Sequence, residues 1–281
     1  MEGLLNMQIM WRLSELVQKP GEALSYQRRH EELRNNSRLE TLHWSSSLQQ
    51  FADYGLHTGR VRLVRPPPTK FDAAQLQQGR RPPQDEGSKR LVRVTDKNPE
   101  YGFVPVFGYV SLFPLLFSLL DTDNPRLERV LLDLRNESRL WTKFGLRSLS
   151  QTSSLYNKPN TDQDSPYWRG TVWLNINYLT LCALRHYAGD ELPINRPAVA
   201  DDEQRATRDR SGFEAVNGPY AKLAASLYSE LRANLVRNVF TEWQRTGFVW
   251  ERYSDVNGKG RGAHPFTGWS SLIVLVMAEI C

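Results

Sequence analysis

The stretch SPYWRGTVWLNINYL, residues 165–179, decides how the rest of the chain is read. An aromatic loop, Tyr167-Trp168-Arg169, meets Gly170 and runs into an apolar segment that continues to about residue 188. Its helical periodicity predicts a helix over about 169–188. Trp173 and Asn177, four residues apart, then share one helical face. An aromatic plane, an amide and the Arg169 guanidinium together suit a hydroxyl-rich ligand. The ring covers a C–H face while amide and guanidinium bond hydroxyls. The same residues also read as an ordinary helix start with core tryptophans.

Outward from this helix the chain keeps alternating helices with long loops. Periodicity and breakers predict helices over about 4–18, 22–38, 108–120, 125–137, 218–237 and 267–280. Asp123 or Asn124 can cap the fourth of these, with Pro125 at its first position. On the first, Leu5, Ile9, Leu13, Leu16 and Val17 fall near one face. His43-Trp44 and Phe51–Tyr54 flank a serine-rich turn and read as a short hairpin. Residues 60–100 and 189–216 read as polar insertions without periodicity. Strands are scarce, so the fold class is mainly α, with helical hairpins arranged in a ring.

A second stretch carries candidate chemistry: GFVWERYSDVNGKGRGAHPFTGWSSL, residues 247–272. Glu251 follows Trp250 and precedes Tyr253 by two positions. A carboxylate in apolar surroundings can be tuned to deprotonate water, although a lone Glu on a strand is more often an ordinary surface residue. Asp53, between aromatics in Phe51–Tyr54, and the loop Gly145–Ser148 are weaker candidates.

Composition excludes several classes. The chain has 281 residues, eight Trp, eleven Tyr and a net charge of +5. Residues 60–97 hold ten Lys/Arg against four acids, but Phe71 is their one aromatic. That pattern reads as a solvated segment, not a nucleic-acid surface. The five His are scattered, so no metal site is expected. No glycine-rich phosphate loop and no G-x-S-x-G occur. Cys182 and Cys281 have no metal-ligand spacing, and sequence supports no disulfide between them. Asn35-Asn36-Ser37 and Asn136-Glu137-Ser138 permit N-glycosylation and hence a lumenal location.

The segments LHWSSSLQQFADYGLHT, FGYVSLFPLL, FGLRSLSQTSSLY, SPYWRGTVWLNINYL and GFVWERYSDVNGKGRGAHPFTGWSSL, in this order, resemble the carboxy-terminal region of glycoside hydrolase family 63, the processing α-glucosidases. The resemblance covers nearly the whole chain. It implies an (α/α)6 barrel with the active site at its mouth. It implies an inverting exo-α-glucosidase that removes the terminal α-1,2-linked glucose from glucosylated high-mannose N-glycans on nascent glycoproteins, in the endoplasmic reticulum. Such inversion uses an acid and a base roughly 6.5–9.5 Å apart. Glu251 matches the family's base. By the same resemblance Tyr167, Trp168, Arg169, Gly170, Trp173, Asn177, Asp53, Trp250, Tyr253, His264, Phe266 and Trp269 are expected to contact glucose residues. No cofactor and no metal are implied, and the membrane is reached only through an amino-terminal anchor.

The family's general acid lies in a Gly-Leu-Asp-Asp-Tyr-Pro-Arg motif, which these 281 residues do not contain. About seven helices are readable, fewer than the six helix pairs of a closed barrel. Residues 1–281 are therefore expected to form the carboxy-terminal part of the catalytic domain. The expected architecture is a partial toroid with a short β-hairpin and polar insertions at 65–90 and 190–216. Hydrolysis by the isolated chain is not expected. The other reading is a non-catalytic remnant that at most binds glycan.

Overall fold

A computed structural model describes residues 2–65, 91–159, 165–192 and 218–281. These residues are mainly helical, with four two-stranded antiparallel sheets. Helices α1, Glu2–Leu16, and α2, Pro20–Leu33, pack against each other. The single helix expected over 22–38 is divided, because the Asn35 side chain leaves helical geometry to accept the Arg38 amide at 3.0 Å. It thereby caps α3, Asn36–His43. The apolar face of α1 is largely uncovered, with Ile9, Leu13, Leu16 and Val17 all exposed.

The expected hairpin is present. Strand β1, Trp44–Ser45, pairs with β2, Gln50–Phe51, so that Trp44 lies opposite Phe51. Beyond it runs a β-ribbon whose inner strand pair lies in the segment read as a polar insertion over 60–100. Strand β3, Tyr54–His57, pairs with β6, Glu100–Phe103, and β4, Val61–Val64, with β5, Val92–Thr95. Alternating valines and leucine supply strand propensity that the surrounding charge obscures in a sequence reading. The insertions expected at 65–90 and 190–216 fall almost wholly outside the described residues.

The remaining helices match the expected positions with shifted ends. The stretch from Gly108 forms only a 3-10 turn, Tyr109–Leu112, and a short α4, Phe113–Leu116. Ser118, with φ 50°, stands just beyond it. Helix α5, Pro125–Leu134, is capped by Asn124, which accepts the Arg126 amide at 2.8 Å. It buries Leu127, Val130, Leu131 and Leu134 at helical spacing. Helix α6 is Leu174–Ala188, and α7, Ala221–Thr246, runs well past the expected end. Gly247, at φ 77°, closes α7 with its N–H on the Trp243 carbonyl. The final expected helix is a 3-10 turn, Trp269–Leu272, leading into α8, Ile273–Met277.

Helices α6 and α7 pack together at the centre of the core. Leu174, Leu181 and Leu184 of α6 and Leu227, Leu231 and Leu235 of α7 are all buried. Among the described residues, no helix is long and apolar enough to cross a membrane.

Candidate active site

A backbone ladder brings the distant motifs together. Phe107 accepts the Ser150 amide, and the Tyr109 amide bonds the Ser148 carbonyl. The Ser148 amide in turn bonds the Thr171 carbonyl. Val172 and Tyr253 then exchange both of their N–H···O bonds, at 2.8 and 3.0 Å. Four segments far apart in sequence thus lie side by side. Occupying Val172 in this ladder also explains why α6 begins at Leu174 and not at 169. Gly170, at φ 145°, makes the turn, and a Cβ there would press on the Tyr156 ring at 2.9 Å.

Trp173 sits at the N-cap of α6 in extended geometry and is fully buried. Trp168 stacks on it with ring centroids 3.8 Å apart and planes 9° from parallel. Tyr167 meets it edge-on at 4.8 Å, and Trp269 lies 5.7 Å away on another side. Trp173 is thus the floor of an aromatic cluster whose outer members are wet: Trp168 is 43% and Tyr167 37% exposed. Tyr167 has φ 40°, a sparsely populated conformation for a non-glycine residue.

Glu251 closes this cluster. Its Oε1 accepts the Tyr167 hydroxyl at 2.7 Å. Its Oε2 pairs with the Arg252 guanidinium at 2.8 Å and accepts the Ala263 amide at 3.2 Å. Its side chain is 13% exposed. The Glu251 carbonyl accepts the Trp269 indole N–H at 2.7 Å, and its own amide bonds Ala263 O at 3.0 Å. The Arg252 guanidinium lies over the Tyr167 ring, 4.7 Å from its centroid, and 5.6 Å from that of Trp173. The hydrogen bond to Glu251, with burial adding to it, raises the Tyr167 phenol above its ordinary range, so Tyr167 stays a donor.

The glycine-rich loop after Glu251 is packed closely onto the site. Strand β7, Arg252–Tyr253, pairs with β8, Gly260–Arg261. A Cβ at Gly260 would collide with the Trp250 indole, and one at Gly262 with the Glu251 carboxylate. Gly262 also has φ 80°. Gly262→Ala is therefore expected to cost about 1–2 kcal/mol in a urea melt, the penalty of a left-handed L-residue, before any cost of displacing the carboxylate. Gly59→Ala, where a Cβ meets nothing within 4 Å, should leave the midpoint unchanged. Equal melts for the two variants would contradict the close packing.

The structure distributes the sequence-predicted residues unevenly. Tyr167, Trp168, Trp173, Glu251 and Trp269 form the cluster. Trp250 stacks on His264 at 3.8 Å, and Phe266 packs 4.8 Å from Trp269, so these three flank it. Tyr253 is wholly buried and holds the Trp250 amide on its hydroxyl at 3.3 Å. Asn177 is also wholly buried, so the ligand-facing amide expected from helical spacing is turned into the core. Gly170 is buried as well, bonding Ser148 Oγ through its amide. Arg169 points its guanidinium at the carbonyls of Lys158 and Pro159, at 3.2 and 3.3 Å. Asp53 is exposed at the foot of the β-ribbon, where its carbonyl accepts the Val104 amide. The Gly145–Ser148 loop lines no open cleft: Leu146, Arg147 and Ser148 are buried, and Arg147 pairs with Asp255 at 3.1 Å.

Sequence reasoning missed three contributors. Arg252 was hidden beside Glu251, since neighbours on a strand normally point apart. Tyr109 holds the floor by donating to Leu146 O at 2.6 Å and accepting the Trp173 amide at 3.3 Å. Glu242, near the end of α7, accepts the Gly260 amide at 2.8 Å and Arg245 at 2.6 Å, anchoring the hairpin that carries Glu251.

The Glu242 carboxyl is held below its ordinary value of 4.5, first by the Arg245 hydrogen bond and then by Gly260, against the opposing effect of burial. A lowered folded-state value means this anchor stabilises the fold fully above the unfolded value. It is lost as pH falls through the folded one. Stability followed by urea melts should therefore drop below about pH 4.5, and Glu242→Gln should flatten that part of the curve. An unchanged slope in the variant would show that Glu242 is not a coupled group.

A carboxylate gripped by a phenol and a guanidinium thus lies beside a half-exposed indole stacked on a buried one, on a helical scaffold. The chain belongs to glycosyl hydrolase family 63, whose C-terminal domain matches residues 4–279. It is 37% identical over 247 residues to the mannosyl-oligosaccharide glucosidase GCS1 of Arabidopsis thaliana, an alignment covering 88% of this chain and 24% of that protein. It is 39% identical over 173 residues to a probable mannosyl-oligosaccharide glucosidase of Schizosaccharomyces pombe, covering 61% of this chain and 18% of that one. The chain thus spans about a quarter or less of the curated relatives it matches. Among solved structures, a sialidase superposes with a TM-score of 0.54 at 14% identity, over 97% of this chain and 19% of that one, a likeness of fold alone.

Proposed function

We propose that this chain is the carboxy-terminal part of an (α/α)6 catalytic domain of an inverting α-glucosidase. Its substrate is the terminal α-1,2-linked glucose of glucosylated high-mannose N-glycans, met in the endoplasmic reticulum. Family membership supports the reaction class. The observation that carries the mechanism is the Glu251 carboxylate, held by Tyr167, Arg252 and the Ala263 amide at the edge of exposed Tyr167 and Trp168. In that role Glu251 takes a proton from water as the water attacks the anomeric carbon. Trp168 offers a flat face to a sugar ring. Tyr167 and Arg252 keep the carboxylate aimed.

Inversion also needs an acid across the sugar, roughly 6.5–9.5 Å from the base. The Gly-Leu-Asp-Asp-Tyr-Pro-Arg motif that the family resemblance assigns to that acid does not occur in these 281 residues, so the reading places the acid outside them. For the chain by itself this favours glycan binding without hydrolysis.

The test compares the purified chain with a chimera in which residues 4–279 replace the matching domain of the Arabidopsis glucosidase. With a glucosylated N-glycan the chimera should release one glucose, first as the β-anomer by NMR, and the isolated chain should release none. Glucose release by the isolated chain would place the acid within it. Retained anomeric configuration would overturn inversion.

A further inference from the structure

We propose that Cys182 and Cys281 are a disulfide-forming pair that clips the carboxy-terminal segment onto helix α6. The two are 99 positions apart in sequence and are free in this structure. What brings them together is a set of side chains that pins residues 276–280. Tyr178, one turn before Cys182 on α6, donates its hydroxyl to the Ile280 carbonyl at 3.1 Å. Arg185, one turn after it, donates to the Glu279 carbonyl at 2.6 Å. From α7, Arg232 donates to the carbonyls of Val276 and Met277, at 3.0 and 2.8 Å, and pairs with Glu279 at 3.3 Å. Cys182 lies between Tyr178 and Arg185 on the same helix face, and the segment they hold delivers Cys281 to it. The two thiols lie close enough for each to perturb the other's ionisation.

The environment also activates one member. The Cys281 thiol beside it, with help from Tyr178 and Arg185, holds the Cys182 thiol below its ordinary range against the effect of burial. The same contact pushes the Cys281 thiol the other way. Cys182 is therefore the more readily ionised of the two. Its thiolate attacks one sulfur of a small-molecule disulfide such as glutathione disulfide, forming a mixed disulfide and releasing one glutathione thiolate. Cys281 then loses its proton to solvent and attacks Cys182 Sγ, releasing the second. The protein gives up two electrons and two protons, and the oxidant becomes two thiols. The bond closes a loop of about 100 residues, and so constrains the unfolded chain strongly.

The test uses the 281-residue chain in glutathione buffers from fully reduced to fully oxidised. Samples are quenched in acid, denatured, alkylated and weighed intact. The reduced chain should take two alkyl groups. The oxidised chain should take none, weigh about 2 Da less and yield a peptide linking Cys182 to Cys281. Oxidation should raise the melting temperature by at least about 5 °C. Cys281→Ala should instead stop at a mixed disulfide with glutathione, with no such rise. Two thiols still alkylatable under excess glutathione disulfide, or linkage only between chains, would overturn the proposal.

Discussion

Glu251→Gln, introduced into the glucosidase chimera, is expected to lower turnover by roughly 10²-fold or more. Glutamine keeps the shape: its single oxygen can take the Oε2 position and accept the Ala263 amide, bonded at 3.2 Å in the parent, while its NH2 at the Oε1 position donates to the Tyr167 hydroxyl oxygen, 2.7 Å away in the parent. It can neither hold a proton taken from water nor form the ion pair with Arg252. The loss should therefore fall on turnover, while binding of a neutral glucose-like inhibitor largely survives. A cationic inhibitor that pairs with the carboxylate is the wrong probe, since its affinity would fall for a different reason. Near-normal turnover in the variant would remove Glu251 from the role of base and leave the Tyr167–Arg252 grip as a structural device. An equal fall in turnover and inhibitor binding would point to collapse of the aromatic cluster.

That cluster was only half legible in sequence. Glu251, Tyr167, Trp168 and Trp269 could be named because aromatic and acidic residues crowd into two short motifs. Their convergence could not, because it depends on the ladder through residues 107–109, 147–150, 170–172 and 253, which is too short and irregular to give a period. The same ladder misled the reading of α6. Apolar spacing continues through Val172 and Trp173, yet Gly170 turns the chain and Val172 bonds Tyr253, so the helix starts at Leu174. The β-ribbon was missed for a related reason: its strands are four residues each and embedded in charge. The long helices α5 and α7 were readable because burial repeats along them at helical spacing.

Asn177 is where the two readings part most sharply, and its replacement has the largest effect expected on stability. Spacing alone places it beside Trp173 on a face offered to a ligand. In the fold its amide is fully buried, accepting the Leu146 N–H at 2.7 Å and donating to Trp173 O at 2.7 Å and to Leu146 O and the Tyr109 hydroxyl at 3.1 Å. In Asn177→Ala the carbonyls keep other partners: Leu146 O retains Tyr109, and Trp173 O retains the residue 177 amide at 3.2 Å. The Leu146 N–H is left with no partner in a dry core, and a small cavity opens beside it. One orphaned buried amide costs about 1–3 kcal/mol, and the cavity and lost bonds add to it. The expected loss is about 2–4 kcal/mol, read as a lower urea midpoint for the isolated domain. Asn177→Asp should be at least as damaging, because a carboxylate meets two carbonyl oxygens where the amide donated. A ligand-facing asparagine would behave oppositely: the Ala variant would melt like the parent and lose affinity for glycan. Unchanged melting with weakened binding would therefore restore the reading from spacing and remove Asn177 from the core.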